Sequence, residues 1–137
     1  MSEHAQVRHL NPEELVRSPA FTHVVTVTGP TKTVYVGGQN AVTGSGDIVG
    51  RGDIGAQTGQ VFKNLQAALA AAGAELEHVI KWSIYVVDGQ PLQPAVEVFQ
   101  RVWGRRPNPP LITMAMVSAL ANPDFLLELE AVAVVPE

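Results

Sequence analysis

Two carboxylates near the end of the chain are the side chains best suited to chemistry. Glu128 and Glu130 are separated by one residue, so a strand would direct both to the same face of a sheet. That face would also carry aliphatic side chains, namely Leu126, Val132 and Val134. A carboxylate among aliphatic neighbours lies either at a solvated edge or in a cleft, where it can accept and donate protons. The residues alone leave both alternatives open.

The histidines and the absence of cysteine limit the other chemistry. None of the four histidines, His4, His9, His23 and His78, pairs with another histidine or a carboxylate at helical spacing within a predicted helix, so no metal site is predicted. The sequence contains no cysteine, which removes disulfides, thiolate nucleophiles and sulfur ligands for metals. We therefore predict neither a metal nor another cofactor.

A glycine-rich loop offers the other candidate site. Residues 50–55 match the pattern G-x-G-x-x-G and precede a helical segment, as a dinucleotide-binding loop would. The strand before the loop is limited to Ile48 and Val49, however, and the chain is too short for the usual two-half dinucleotide fold. Nucleotide binding is therefore disfavoured.

Composition bears on the partners of the protein. Charged residues make up 16% of the 137 residues, whereas about 25% is typical of globular domains. So few charges favour an oligomer over a monomer with an Ala- and Gly-rich exterior. The net charge of −4 argues against nucleic acid as a partner.

The location of the protein is predicted from two absences. The polar start of the chain leads into no apolar segment typical of a signal peptide. The longest uncharged apolar stretch, residues 111–121, is too short to span a bilayer. We expect a cytoplasmic protein that does not bind membranes.

The first half of the chain predicts two strands and a helix after an irregular segment at residues 1–20. Alternation around Val25 and again around Val34 predicts two strands that pair as a hairpin. A glycine-rich turn and a short strand near Ile48 follow. A helix is predicted from an N-cap at Asp53 to a stop at Gly73.

The second half predicts a central strand, a second helix and two more strands. Residues 79–87 are apolar on both faces, which is typical of a central strand. A helix is predicted from Pro91, with strands at residues 111–117 and 125–135. The apolar face predicted for this helix consists of Leu92, Val96, Phe99 and Trp103.

This order of elements predicts a single α+β domain over residues 1–137. It is a mixed β-sheet with both helices on one face. The second face of the sheet would then be buried by another copy of the chain.

Several segments, in order, resemble the Rid (YjgF/L-PSP) family. Val36–Gln39 is similar to its Ser-Gly-Gln strand signature, and residues 57–73 are similar to its first helix. Residues 79–88 resemble its central strand, and Leu127–Ala131 resembles its closing Val-Glu-Ile-Glu-Ala strand. The likeness extends over about residues 21–137.

The resemblance implies a chorismate-mutase-like subunit, a homotrimer and ligand clefts between adjacent subunits. The best-known members are RidA-like deaminases that hydrolyse reactive 2-imino acids to 2-keto acids and ammonia. In those proteins an arginine binds the substrate carboxylate, a task suited to guanidinium. A glutamate of the last strand and backbone groups near the Ser-Gly-Gln turn handle water and the imine nitrogen.

The resemblance also identifies the site residues of this chain. Glu128 matches the catalytic glutamate, whereas Ile112 stands in the place of the arginine and Val96 in the place of a helix asparagine. Ligand-binding positions carried over by the resemblance are Phe21, Gly37, Gly38, Ile112, Thr113 and Met114.

Without the arginine, the expected ligand is a neutral, apolar or cationic small molecule. Arg105 or Arg106 could substitute for it, but both are predicted to complement the end of the second helix. Two functions remain open: an imine or enamine deaminase that is not a standard 2-iminopropanoate deaminase, and a non-catalytic or stress-related small-molecule-binding trimer. The family's older label of endoribonuclease or translation inhibitor is disfavoured by the charge.

Overall fold

Six strands and two helices make up the part of the chain that the computed structural model describes, residues 4–137. In chain order they are β1 Gln6–Leu10, β2 Val24–Thr28, β3 Thr31–Gln39, α1 Ile54–Ala71, β4 Val79–Val87, α2 Gln93–Trp103, β5 Leu111–Val117 and β6 Leu127–Pro136. A single turn of 3-10 helix, Leu76–His78, precedes β4. Neither helix is long and apolar enough to cross a membrane.

Four of the strands form one mixed sheet in the order β3-β6-β4-β5. Strands β4 and β5 are parallel, whereas β6 is antiparallel to both β3 and β4. The central position of β4 agrees with its apolar sequence, because both of its edges and one face are covered. The predicted α+β class and mixed sheet are confirmed.

The start and end of α1 are set by the residues that the sequence singles out. The Asp53 side chain accepts a hydrogen bond from the Ala56 amide at 3.1 Å, as an N-cap does. Gly73, with a φ of 73°, ends the helix, and the next amide, that of Ala74, donates to the Leu69 carbonyl at 2.9 Å. Both predicted ends are confirmed.

Helix α2 differs from the prediction in its start and its buried face. It begins at Gln93, so Pro94 and not Pro91 occupies the first turn, where the missing N–H costs nothing. Leu92, Phe99 and Trp103 of the predicted stripe pack against the core, and the buried residues Ala95 and Val98 extend this face. Val96 is 40% exposed and lies beside the helix–sheet contact.

The N-terminal region corrects two predictions. Strand β1, Gln6–Leu10, lies inside the segment expected to be irregular, of which residues 1–3 fall outside the described part. It pairs antiparallel with β2, so β2 and β3 do not form the predicted hairpin. Strand β3 pairs instead with β6, an arrangement that buries Val34 and Val36 against α1 and the rest of the core. The short strand expected near Ile48 is reduced to one bridge with Val42.

The two faces of the four-stranded sheet have different characters. The face against α1 and α2 carries the core, including Trp82, Ile84 and Leu129. The second face, called here the open face, carries Tyr35, which is 79% exposed, and the two candidate carboxylates. At one end of this face the β1–β2 ribbon contacts β6 near Val134. The rest of it has no cover among residues 4–137.

Candidate functional site

Both carboxylates of β6 lie on the open face of the sheet and are half-buried there. Glu128 is directly opposite Tyr85 of β4, and Glu130 is opposite Ser83. The Tyr85 hydroxyl donates a hydrogen bond to Glu130 Oε1 at 3.2 Å. Glu130 is thus held by a neighbour, while Glu128 lies closer to the carboxyl end of β3.

A β-bulge in β3 lies next to Glu128. Val36 pairs with Ala131 and Gln39 with Leu129, so Gly37 and Gly38 together face the single residue Glu130. Bulges of this kind bend a strand and are frequent beside active sites. The predicted site glycines and the predicted catalytic glutamate are therefore brought together.

Gly38 is in direct contact with the side chain of Glu128. A Cβ atom built on Gly38 would lie 2.7 Å from Glu128 Cδ and 3.1 Å from Glu128 Cγ, closer than packing allows. A Cβ on Gly37 would meet nothing within 4 Å. The Glu128 carboxylate therefore lies over the backbone of Gly38, and glycine at that position leaves the space for it.

Two polar residues of α1 support the segments on either side of this contact. The buried Gln57 side chain donates to the carbonyls of Gly50 and Asp124 and accepts from the Leu126 amide, all at 2.9–3.1 Å. Asn64 donates to the carbonyls of Asn40 and Val42 at 2.9 Å. These bonds tie the start of β6 and the end of β3 to one rigid helix. The sequence alone assigns neither residue a role. The sequence does show that both are polar residues within the apolar stripe of α1.

Two of the other predicted site residues, Ile112 and Met114, lie on the helix side of the sheet. They line a cavity of about 200 Å³ between α2 and the β4–β5 edge. Thr113 between them is paired with Ser83 and belongs to the open face. Alternation along β5 therefore separates Ile112 from Glu128 within one chain.

Phe21 is positioned beside the start of β5. Its neighbour Thr22 donates its amide to the Pro110 carbonyl at 3.2 Å and its hydroxyl to the Pro109 carbonyl at 2.5 Å. The Phe21 ring packs edge-to-face on His23, with centroids 5.2 Å apart. The preceding residue, Ala20, lines the apolar cavity.

Comparison with known proteins identifies the family of this fold. A family model described as Endoribonuclease L-PSP matches residues 14–135. The chain belongs to this family. The resemblance noted from the sequence is thereby confirmed.

Relatives and solved structures agree with this assignment. A RutC family protein of Pyrococcus abyssi is 36% identical over 101 residues, which cover 73% of this chain and 76% of that protein. The Rid family protein YyfB of Yersinia pestis has a similar structure, with a TM-score of 0.82 and 34% identity, over 94% of this chain and 98% of YyfB. TdcF of E. coli, solved with bound serine, has a TM-score of 0.68 and 27% identity, over 75% and 80% of the two chains.

Arg105 and Arg106, which precede β5 in this L-PSP family chain, do not line the apolar cavity. Arg106 Nη1 donates to the carbonyls of Val102 and Trp103 at 2.9 and 3.0 Å, and thus caps the last turn of α2. Its Nε lies 4.0 Å from Glu77 Oε1. Arg106 is therefore engaged at the helix end, as expected. Neither it nor Arg105 is among the residues around the cavity.

The Tyr85–Glu130 contact has a measurable consequence for titration. The hydrogen bond to Glu130, followed by the charge of that carboxylate, raises the pKa of Tyr85 above its usual 10.0. The neutral phenol is favoured, so the hydrogen bond persists as the pH rises through 10 and is lost only above the raised pKa. The sequence has two tyrosines, and Tyr35→Phe leaves Tyr85 to be titrated alone by tyrosinate absorbance. We expect a midpoint above 10.0 that falls when Glu130→Gln is added. A midpoint that is unchanged by Glu130→Gln would contradict the hydrogen bond between Tyr85 and Glu130.

Proposed function

We propose that this L-PSP family protein hydrolyses an imine or enamine and releases ammonia, in a cleft formed between copies of a trimer. The observation that carries the proposal is the contact of Glu128 with Gly38 at the bulge of β3. It combines a carboxylate able to transfer protons with exposed strand backbone at the same point.

The trimer is supported by the separation of the candidate residues. Glu128 belongs to the open face, whereas Ile112 and Met114 line the cavity on the helix side. A cleft that contains both sets needs the open face of one copy beside the cavity of the next. Tyr35, 79% exposed on that face, is a large side chain that such a contact would cover.

In the proposed reaction Glu128 twice carries a proton from oxygen to nitrogen. The carboxylate takes a proton from water while the water oxygen bonds to the imine carbon, and it passes that proton to the nitrogen, which has received the electron pair of the C=N bond; the product is a carbinolamine. The carboxylate then takes the carbinolamine hydroxyl proton as the carbonyl forms and the C–N bond breaks, and it returns this proton to the departing nitrogen. Ammonia leaves, and the glutamate is restored to its starting form.

The substrate proposed here lacks a carboxylate next to the imine. The resemblance assigns a carboxylate-binding arginine to the position of Ile112, and an aliphatic side chain gives a carboxylate no hydrogen bond. Loss of such a charged bond costs roughly 2–3 kcal/mol, about a hundredfold in binding. The carboxylate of a ligand such as the serine bound in TdcF would have no partner at Ile112.

A second candidate is a small-molecule-binding trimer without catalysis. The apolar residue at position 112 favours it, because the usual substrate would bind poorly. The retained Glu128 and its contact with Gly38 favour the enzyme. Nucleic-acid cleavage, named in the family description, is disfavoured by the net charge of −4.

Ammonia release from two imines tests the proposal. We expect a neutral ketimine to be hydrolysed faster than its uncatalysed rate, with kcat/KM about a hundredfold above that for 2-iminopropanoate. Light scattering on the same sample should give three times the chain mass. Rapid turnover of 2-iminopropanoate would show that another cation replaces the missing arginine. Binding of the ketimine without any turnover would support the second candidate instead.

A further inference from the structure

The cavity between α2 and the β4–β5 edge has walls of unusually uniform chemistry. It has a volume of about 200 Å³, and no charged residue lines it among those described. Gln100 is the single polar residue around it. Its walls include Ile84, Val96, Phe99, Ile112, Met114 and Leu127.

Two of the departures from the family resemblance meet in this cavity. Val96 of α2 and Ile112 of β5 stand where the resemblance assigns an asparagine and an arginine, and both side chains line the same space. The two positions are far apart in the sequence. Aliphatic residues at both of them give one continuous apolar wall, which a single lost arginine would not produce.

The back of the cavity is rigid and its mouth is adaptable. Phe99 packs edge-to-face on Phe62 and Trp82, with centroids 4.6 and 5.6 Å apart, which fixes one wall. Val96 and Met114 are 40% and 50% exposed and lie at the mouth. Methionine has a flexible, polarizable side chain that adjusts to ligands of different shape.

We propose that this cavity binds the uncharged apolar group of the imine, a branched aliphatic or aromatic group of about the size of benzene. The inference rests on the proposed function and selects a neutral apolar substrate over a cationic one. A dry cavity of about 150 Å³ with aliphatic and aromatic walls accepts benzene, so 200 Å³ is sufficient. A cation would lose its hydration there, and the Gln100 amide is the one side-chain hydrogen-bond acceptor among the described lining residues that could replace it.

Binding of unreactive product analogues tests this assignment without requiring catalysis. The probes are neutral methyl ketones with alkyl chains of increasing length, followed by the Met114 methyl resonance, with that of Met116 as an internal reference outside the cavity. We expect affinity to rise about fourfold for each added methylene group until the cavity is filled. Affinity that is independent of chain length, or shifts at Met116 alone, would overturn the assignment.

A matched pair of variants on α2 tests whether the dependence on chain length arises in this cavity. Val96→Phe fills the mouth and should remove the dependence on chain length, whereas Glu97→Phe adds the same ring to the neighbouring exposed position, outside the cavity, and should preserve it. Thermal midpoints of both variants check the fold. Ketone affinity that rises with chain length, in a protein that does not hydrolyse the imine, would support the cavity assignment and contradict the proposed function. A rate of imine hydrolysis that does not depend on chain length would contradict the cavity assignment but not the proposed function.

Discussion

Glu128→Gln is expected to lower the turnover of a neutral imine by about a hundredfold or more. Glutamine keeps the size of the side chain but cannot take a proton from water, and a positioned general base contributes roughly 10² to 10⁴ in rate. Glu128 is half-buried, so the amide should fit without unfolding the strand. The measurement is kcat/KM for ammonia release, together with the thermal midpoint. Glu130→Gln, on the same face but bonded to Tyr85, is the control and should lose far less.

The position of that carboxylate is tested by two adjacent glycines. Gly38→Ala puts a methyl group on the Glu128 side chain and must displace it, whereas Gly37→Ala adds the same group in open space. We expect the loss in kcat/KM from Gly38→Ala to exceed that from Gly37→Ala at least about tenfold. Equal losses would show that the contact between Gly38 and Glu128 has no part in catalysis.

The elements that the sequence predicted well are those with strong local signals. Helix α1 has an aspartate cap, an apolar stripe and a glycine stop, and β4 is apolar apart from Lys81 and Ser83. Strand β1 was missed because its five residues, Gln6–Leu10, include arginine and histidine and give little alternation. The partner of β3 was also missed, since pairing with β6 depends on burial of Val34 and Val36, which is a property of the whole core.

The site was predicted as a set of residues and not as an arrangement. The resemblance identified Glu128, Gly38 and Ile112, but a list of positions does not say which face each one occupies. The bulge at Gly37 and Gly38 brings Glu128 and β3 into contact, and it arises from a register shift between strands distant in sequence. Alternation along β5, by contrast, could have separated Ile112 from Thr113 beforehand. Gln57 escaped notice because its role depends on backbone groups of two distant loops.

Ile112→Arg is expected to strengthen the binding of 2-iminopropanoate about a hundredfold and to weaken the binding of apolar imines. The side chain at position 112 extends into the apolar cavity, where a guanidinium can form two parallel hydrogen bonds to a carboxylate. The gain corresponds to roughly 2–3 kcal/mol for a charged hydrogen bond with limited hydration. The arginine also occupies space and adds charge, so apolar groups lose their contact surface. The measurement is KM and kcat for both substrates.

Two controls separate charge from shape and from position. Ile112→Met extends an uncharged side chain into the same cavity and should leave 2-iminopropanoate a poor substrate. Met116→Arg adds the same cation elsewhere on β5, at an exposed residue that does not line the cavity. A gain of similar size from Met116→Arg would mean that general attraction of the anion suffices. If only Ile112→Arg gives the gain, and the apolar imine binds more weakly to that variant, then residue 112 contacts the substrate. The contact then lies beside the imine carbon that is attacked by the water deprotonated by Glu128.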